Sequence, residues 1–107
     1  MSRTIENAAF VCEHCATRVA PLANGSYRNH CPACLWSKHV DRQPGDRAAA
    51  CHGLMRPVGL DHRPGKGWLV IHRCLRCHHT RANRLALDDQ RQPDDVDVIA
   101  GLSGLTP

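Results

Sequence analysis

Seven cysteines, six of them in Cys-x2-Cys pairs, only 26 apolar side chains other than Ala and Cys, and a middle segment broken by Pro and Gly define this 107-residue chain. They predict a small metal-bound domain: zinc-ribbon-like short antiparallel β-strands with two zinc knuckle pairs and a partly helical C-terminal tail. With one Phe, one Tyr and two Trp, burial alone is poorly placed to offset chain entropy, and small domains in that position carry crosslinks or metal. The length excludes a large multidomain enzyme.

Taken in order, residues 1–9 read as a frayed leader, residues 10–89 contain every Cys and His, and residues 90–107 form an acidic tail. No apolar stretch precedes Cys12, so neither a secretory signal nor a membrane span is expected, and a cytoplasmic location follows. In a reducing compartment an odd number of cysteines accompanied by eight His points to metal ligation rather than disulfides. Pro21, Gly25, Pro32, Pro44, Gly45, Gly53, Pro57, Gly59, Pro64, Gly65 and Gly67 leave no room for a helix of ordinary length. Strands are therefore expected at 10–12, 19–22, 35–40, 55–60 and 68–73, the last being the clearest β-favouring run. In the tail, Pro93-Asp94-Asp95 ahead of Val96 and Ile99 opens a short helix, with acids at the positive end of its dipole. A short echo links Cys12-x2-Cys15-Ala-Thr17-Arg18 to Cys74-x2-Cys77-His-His-Thr80-Arg81.

Cys12-x2-Cys15 and Cys31-x2-Cys34, 15 residues apart, have the spacing of a four-Cys zinc site. Two intervening residues let both thiolates of a pair reach one tetrahedral ion, and two such turns close the shell. Redox-active pairs would want a strand-helix context that the broken sequence lacks; an iron-sulfur centre is the smaller alternative. Cys51, Cys74 and Cys77 supply three ligands of a second zinc site. His72 is the first choice for the fourth, because residues 72 and 74 of a strand point to one face; His52, His78 and His79 compete. Against a second site stand a buried, inert Cys51 with a degenerate 74/77 turn, and a catalytic Cys51-His52 pair, disfavoured because sequence neighbours rarely place a base against a nucleophile. Both zinc ions would sit in closed shells, holding structure and adding their binding energy to folding.

Arg28-Asn29-His30-Cys31-Pro32, then Cys34-Leu35-x-Ser37-x-His39-Val40-Asp41 and Pro44-Gly45-Asp46-Arg47, resemble the small bacterial proteins grouped as the RNHCP family. Cys51-x-Gly53-x-Met55-x-Pro57, His72-Arg73-Cys74 and Asn83-Arg84-x-Ala86-x-Asp88-Asp89 are similar to the same pattern, so the resemblance runs from about residue 10 to residue 89. It implies zinc binding and no particular reaction.

Charge is divided. Residues 10–87 carry a formal +8 and residues 88–107 a formal −4. Seven thiolates offset by two divalent ions bring the former to about +5, still basic. A zinc scaffold rich in Arg suits phosphate neutralisation, and the absence of a usable recognition helix favours RNA or a ribonucleoprotein such as the ribosome over groove readout of DNA. Arg28, Arg42 and Arg47 are the expected nucleic-acid contacts, since they flank the first zinc site; local salt bridges to Asp41 or Asp46 are their structural alternative. The acidic tail could fold back over that basic surface. A zinc-ribbon protein-protein adaptor is the nearest rival role. The other is a metal-dependent phosphodiesterase or nuclease using His30, His39, Asp41, Asp46 and His62, which would need an open metal position.

Overall fold

The structure, a computed structural model, describes residues 9–22, 28–39 and 50–102. Two short strands, β1 (Phe10–Val11) and β2 (Arg18–Val19), pair antiparallel. A second, four-stranded antiparallel sheet has the order β3 (Ser37–Lys38), β4 (Leu54–Arg63), β5 (Gly67–Cys74) and β6 (Thr80–Arg84). One helix, α1 (Val96–Leu102), follows among the described residues, none of whose helices is long and apolar enough to cross a membrane.

Local chemistry explains these elements. The β4-β5 hairpin turns where Lys66 N donates to Arg63 O at 3.0 Å around Pro64 and Gly65. Gly65 has φ 78°, the left-handed third position of a type II turn that Pro-Gly favours. β3 pairs only with Leu54 and Met55, so Pro57 falls where β4 has become an edge, and a bulge shifts the register between Pro57 and Gly59. At α1, Asp95 Oδ1 accepts the N–H groups of Asp97 (2.9 Å) and Val98 (3.3 Å), which makes Asp95 the N-cap.

Among the described residues the buried interior is small and more than a third of it is polar. Leu35, Val70, Leu85 and Leu102 form one apolar cluster, with Leu60, Val98 and Ile99 against it. Cys12, Val19 and Cys31 form another, flanked by Phe10 and Cys34. Arg28, His30, Ser37, His72, Asn83 and Asp94 are buried beside them. The segment that charge sets apart as a tail is thus packed into the domain: Leu102 is core, and Gln92 reaches the first hairpin, accepting from Ala20 N (2.5 Å) and donating to Arg18 O (2.9 Å).

Candidate metal centres

Three chain turns share one geometry. In each, the first Cys N–H donates to the carbonyl five residues on, and the residue after the second Cys donates back to the first Cys carbonyl. The pairs are Cys12 N to Thr17 O with Ala16 N to Cys12 O (both 2.9 Å), Cys31 N to Trp36 O with Leu35 N to Cys31 O (2.9 and 2.8 Å), and Cys74 N to His79 O with His78 N to Cys74 O (2.8 and 3.0 Å). Ala16, Leu35 and His78 are all left-handed, with φ between 65° and 66°. That conformation costs a non-Gly residue about 1–2 kcal/mol, so three such turns need something to hold them closed. The echo between Cys12–Arg18 and Cys74–Arg81 is this turn, each copy leading into a strand.

The first two turns face each other. Cys12, Cys15, Cys31 and Cys34 place their sulfurs within 4.8 Å of one another, with Cys12 to Cys34 and Cys15 to Cys31 both at 3.6 Å. A disulfide needs about 2.05 Å. Four thiolates around one tetrahedral zinc, at about 2.3 Å each, lie about 3.8 Å apart, so the set fits a shared ion. The thiols are tuned differently: Thr17, through its hydroxyl and its N–H, lowers Cys15 to about 6, whereas burial raises Cys31 and Cys34. A cation resolves that conflict by displacing the protons. On the outside His14, from the first turn, stacks on Trp36 beyond the second, with centroids 3.9 Å apart.

The third turn closes a different cluster. Cys51, Cys74 and Cys77 are joined by His39, all four donor atoms again lying within 4.8 Å; Cys51 to Cys74 is 3.6 Å and Cys77 Sγ to His39 Nδ1 is 3.2 Å. His39, just beyond β3, is brought to Cys51 by backbone pairing, His39 N to Gly53 O (2.8 Å) and His52 N to His39 O (2.9 Å). Leu75 N donates to Leu54 O (2.9 Å) and docks the turn on β4. Burial works to raise Cys74, yet the N–H groups of Cys77 and Arg76 bring it below the ordinary thiol value. His39 stacks on His79, nearly parallel at 5.1 Å, so each cluster has an aromatic pair joining its halves.

Gly53 is what lets this cluster close. A Cβ there would stand 2.7 Å from Arg76 Cβ and 2.8 Å from Cys74 Sγ, closer than real Cβ contacts allow. Gly53→Ala is therefore expected to expel the second ion while sparing the first, read as metal content falling from about two to about one per chain.

His72, expected as the fourth ligand of the second cluster, is not in it. Two residues of strand span about 6.8 Å, and that offset puts the imidazole in a different layer from the Cys74 thiolate. His72 Nε2 donates to Leu35 O at 2.6 Å and Nδ1 accepts from Asn83 Nδ2 at 2.8 Å. Burial lowers it to about 4, so it is a neutral core histidine. His39→Ala should reduce metal content to about one ion per chain, whereas His72→Gln should leave about two.

From His72 a buried polar chain runs to the tail segment. Asn83 Oδ1 accepts from Asn29 Nδ2 (2.7 Å), Asn29 Oδ1 meets His30 Nδ1 (3.2 Å), and His30 Nε2 meets Asp94 Oδ2 (2.9 Å). Asp94 also accepts from Arg28 Nη2 (2.9 Å) and Ala86 N (2.6 Å). Every member of the Arg28–Pro32 pentapeptide thus makes a defined contact. Arg28 and His30 grip Asp94, Asn29 ties to β6, Cys31 belongs to the first cluster, and Pro32 O accepts Asp95 N at 2.9 Å.

This corrects Arg28 as a nucleic-acid contact. Its side chain is 2% exposed and holds Asp94 at 2.9 Å, with Asp89 at 3.9 Å. Arg42 and Arg47 lie outside the described residues. The residues considered for phosphodiester chemistry are not brought to one site: His30 binds Asp94, His39 joins the second cluster, and His62 packs edge-on against Trp68; Asp41 and Asp46 lie outside the described residues.

A small antiparallel sheet domain carrying two four-donor clusters, one of four cysteines and one of three cysteines with a histidine, is a metal-binding module of the zinc-ribbon kind. The RNHCP domain matches residues 7–93, and the chain belongs to that family. No curated protein and no solved structure matches it.

Proposed function

We propose that both clusters hold Zn2+ and that the domain is a noncatalytic binding module whose partner is RNA or a ribonucleoprotein. Sulfur-rich tetrahedral donor sets select zinc among divalent ions. The observation that carries the noncatalytic reading is closure: with four protein donors mutually within 4.8 Å at each cluster, a tetrahedral ion keeps no position for water or substrate. When bound, each ion supplies charge neutralisation for its thiolates and a crosslink between turns.

The RNA reading is supported by exposed cations on the described surface, among them Arg56, Arg73 and Arg84. Zinc-loaded protein should bind labelled single-stranded RNA with an affinity that falls log-linearly with salt. Flat salt dependence would remove RNA as the partner. The adaptor reading draws on Leu87 and Val96, exposed beside an open depression of about 590 Å³ that Pro32 and Pro93 also line. Capture of partners that survives RNase, with little salt dependence, would favour it.

A further inference from the structure

We propose that single-stranded RNA is held by its phosphate backbone on one face of the four-stranded sheet, across Arg56, Arg73 and Arg84. This rests on the RNA reading above and moves its contact surface away from the first metal centre. Register places these side chains together. Arg56 pairs directly with Arg73, and Arg73 with Thr80, so the three share a face. Two residues further along β5 Ile71 pairs with Ala82, and two further still Leu69 pairs with Arg84, on that same face. Arg56, Arg73 and Arg84 are all exposed.

Like charges set directly opposite one another in a sheet destabilise it, and among the described residues no acid offsets the Arg56-Arg73 pair. The nearest acid on this face, Asp61, bonds Arg63 at 2.9 Å. Among the described residues the exposed acids lie elsewhere, at Asp88, Asp95 and Asp97 around the tail and at Glu13, which pairs with Lys38. An anion lying between Arg56 and Arg73 turns their repulsion into attraction, and planar guanidinium groups match phosphate oxygens in pairs.

The span identifies a polymer. Arg73 and the row of Arg84 are four residues apart along β5, about 13 Å, more than one phosphate can bridge. Aliphatic Ile71 and Ala82 lie between the cations and, among the described residues, no aromatic ring does, so binding through the backbone should tolerate any sequence. Duplex DNA is disfavoured because the described residues offer only the seven-residue α1 as a helix, and its first turn is acidic.

The test compares zinc-loaded full-length chains binding a fluorescent 20-nucleotide oligo(U) between about 50 and 200 mM salt. R56Q/R73Q/R84Q is set against R18Q/K66Q/R91Q, which removes the same charge elsewhere, with metal content and melting temperature verified for both. Loss of three single-strand phosphate contacts should flatten the slope of log K against log salt by about 2 and weaken binding about tenfold or more at low salt. The control variant should change both far less. Equal losses in the two variants, or full affinity in the first, would overturn the assigned face while leaving RNA as partner. Absence of binding by the unaltered protein would overturn the RNA reading itself, and the face with it.

Discussion

Removing both ions with a strong chelator and a reductant should abolish the cooperative thermal melt and the dispersed amide spectrum, and zinc should restore them. The reason lies in what remains without the clusters. Among the described residues, seven buried apolar side chains other than Cys and Pro (Val19, Leu35, Met55, Leu69, Val70, Leu85 and Leu102) share the interior with six buried polar residues. β1, β2 and β3 are two residues each, too short to persist as isolated pairs. Structural zinc contributes about 10–16 kcal/mol of apparent binding energy at neutral pH, comparable with the whole stability of a typical domain, about 5–15 kcal/mol. Cluster one fastens the first hairpin to the turn before β3; cluster two fastens the start of β4 to the turn between β5 and β6. A stripped chain that kept its melt would show that packing alone suffices, and the role assigned to the ions would fall.

The amino-acid sequence carries the metal arithmetic well and the polar interior poorly. Cysteine spacing marks three turns because a Cys-x2-Cys geometry is local, written in adjacent residues. His39 is harder to see: it approaches Cys51 only because β3 and β4 pair at the two ends of an intervening segment, and spacing along the chain does not encode that closure. Its signal is present in the family pattern, which includes His39 between Cys34 and Cys51. The expected strands at 55–60 and 68–73 correspond to β4 and β5, each longer in the structure than apolar patterning indicates. β6 escapes such patterning because Thr80-Arg-Ala-Asn-Arg84 has no apolar alternation. Its inward residue is Asn83, which satisfies His72 and Asn29 instead of filling a hydrophobic gap. Arg28 reads as a surface cation for a related reason: composition favours exposed Arg, and its partner Asp94 lies 66 residues away.

Asp94→Ala should be the most destabilising single substitution that leaves both ions bound, costing about 3 kcal/mol, because it removes the nearer of the two carboxylates beside the buried Arg28 guanidinium, at 2.9 Å, and leaves Asp89 at 3.9 Å. In a domain of about 100 residues that is a fall in Tm of more than about 10 °C, with metal content still near two. Arg28→Met combined with Asp94→Leu should recover part of the loss, since no buried guanidinium then faces the missing carboxylate; His30 and Ala86 N would still lack their acceptor and Asp89 would lose Arg28, so recovery should be incomplete. A drop of less than about 1 kcal/mol for Asp94→Ala would mean that the pair is as weak as an exposed one. The pH dependence separates this effect from metal loss. Burial acts to raise the Asp94 carboxyl, but the hydrogen bond and charge of His30, the Ala86 N–H and Arg28 together hold it below the usual carboxylate range. A depressed carboxyl contributes its full stabilisation above its unfolded value of about 3.9 and loses it only as pH falls from there through the folded value. Thiolates compete with protons for the metal at higher pH. Acid titration of the unaltered protein should therefore lose its ions first, whereas Asp94→Ala should lower the melting temperature by the same amount at every pH from 6 to 8.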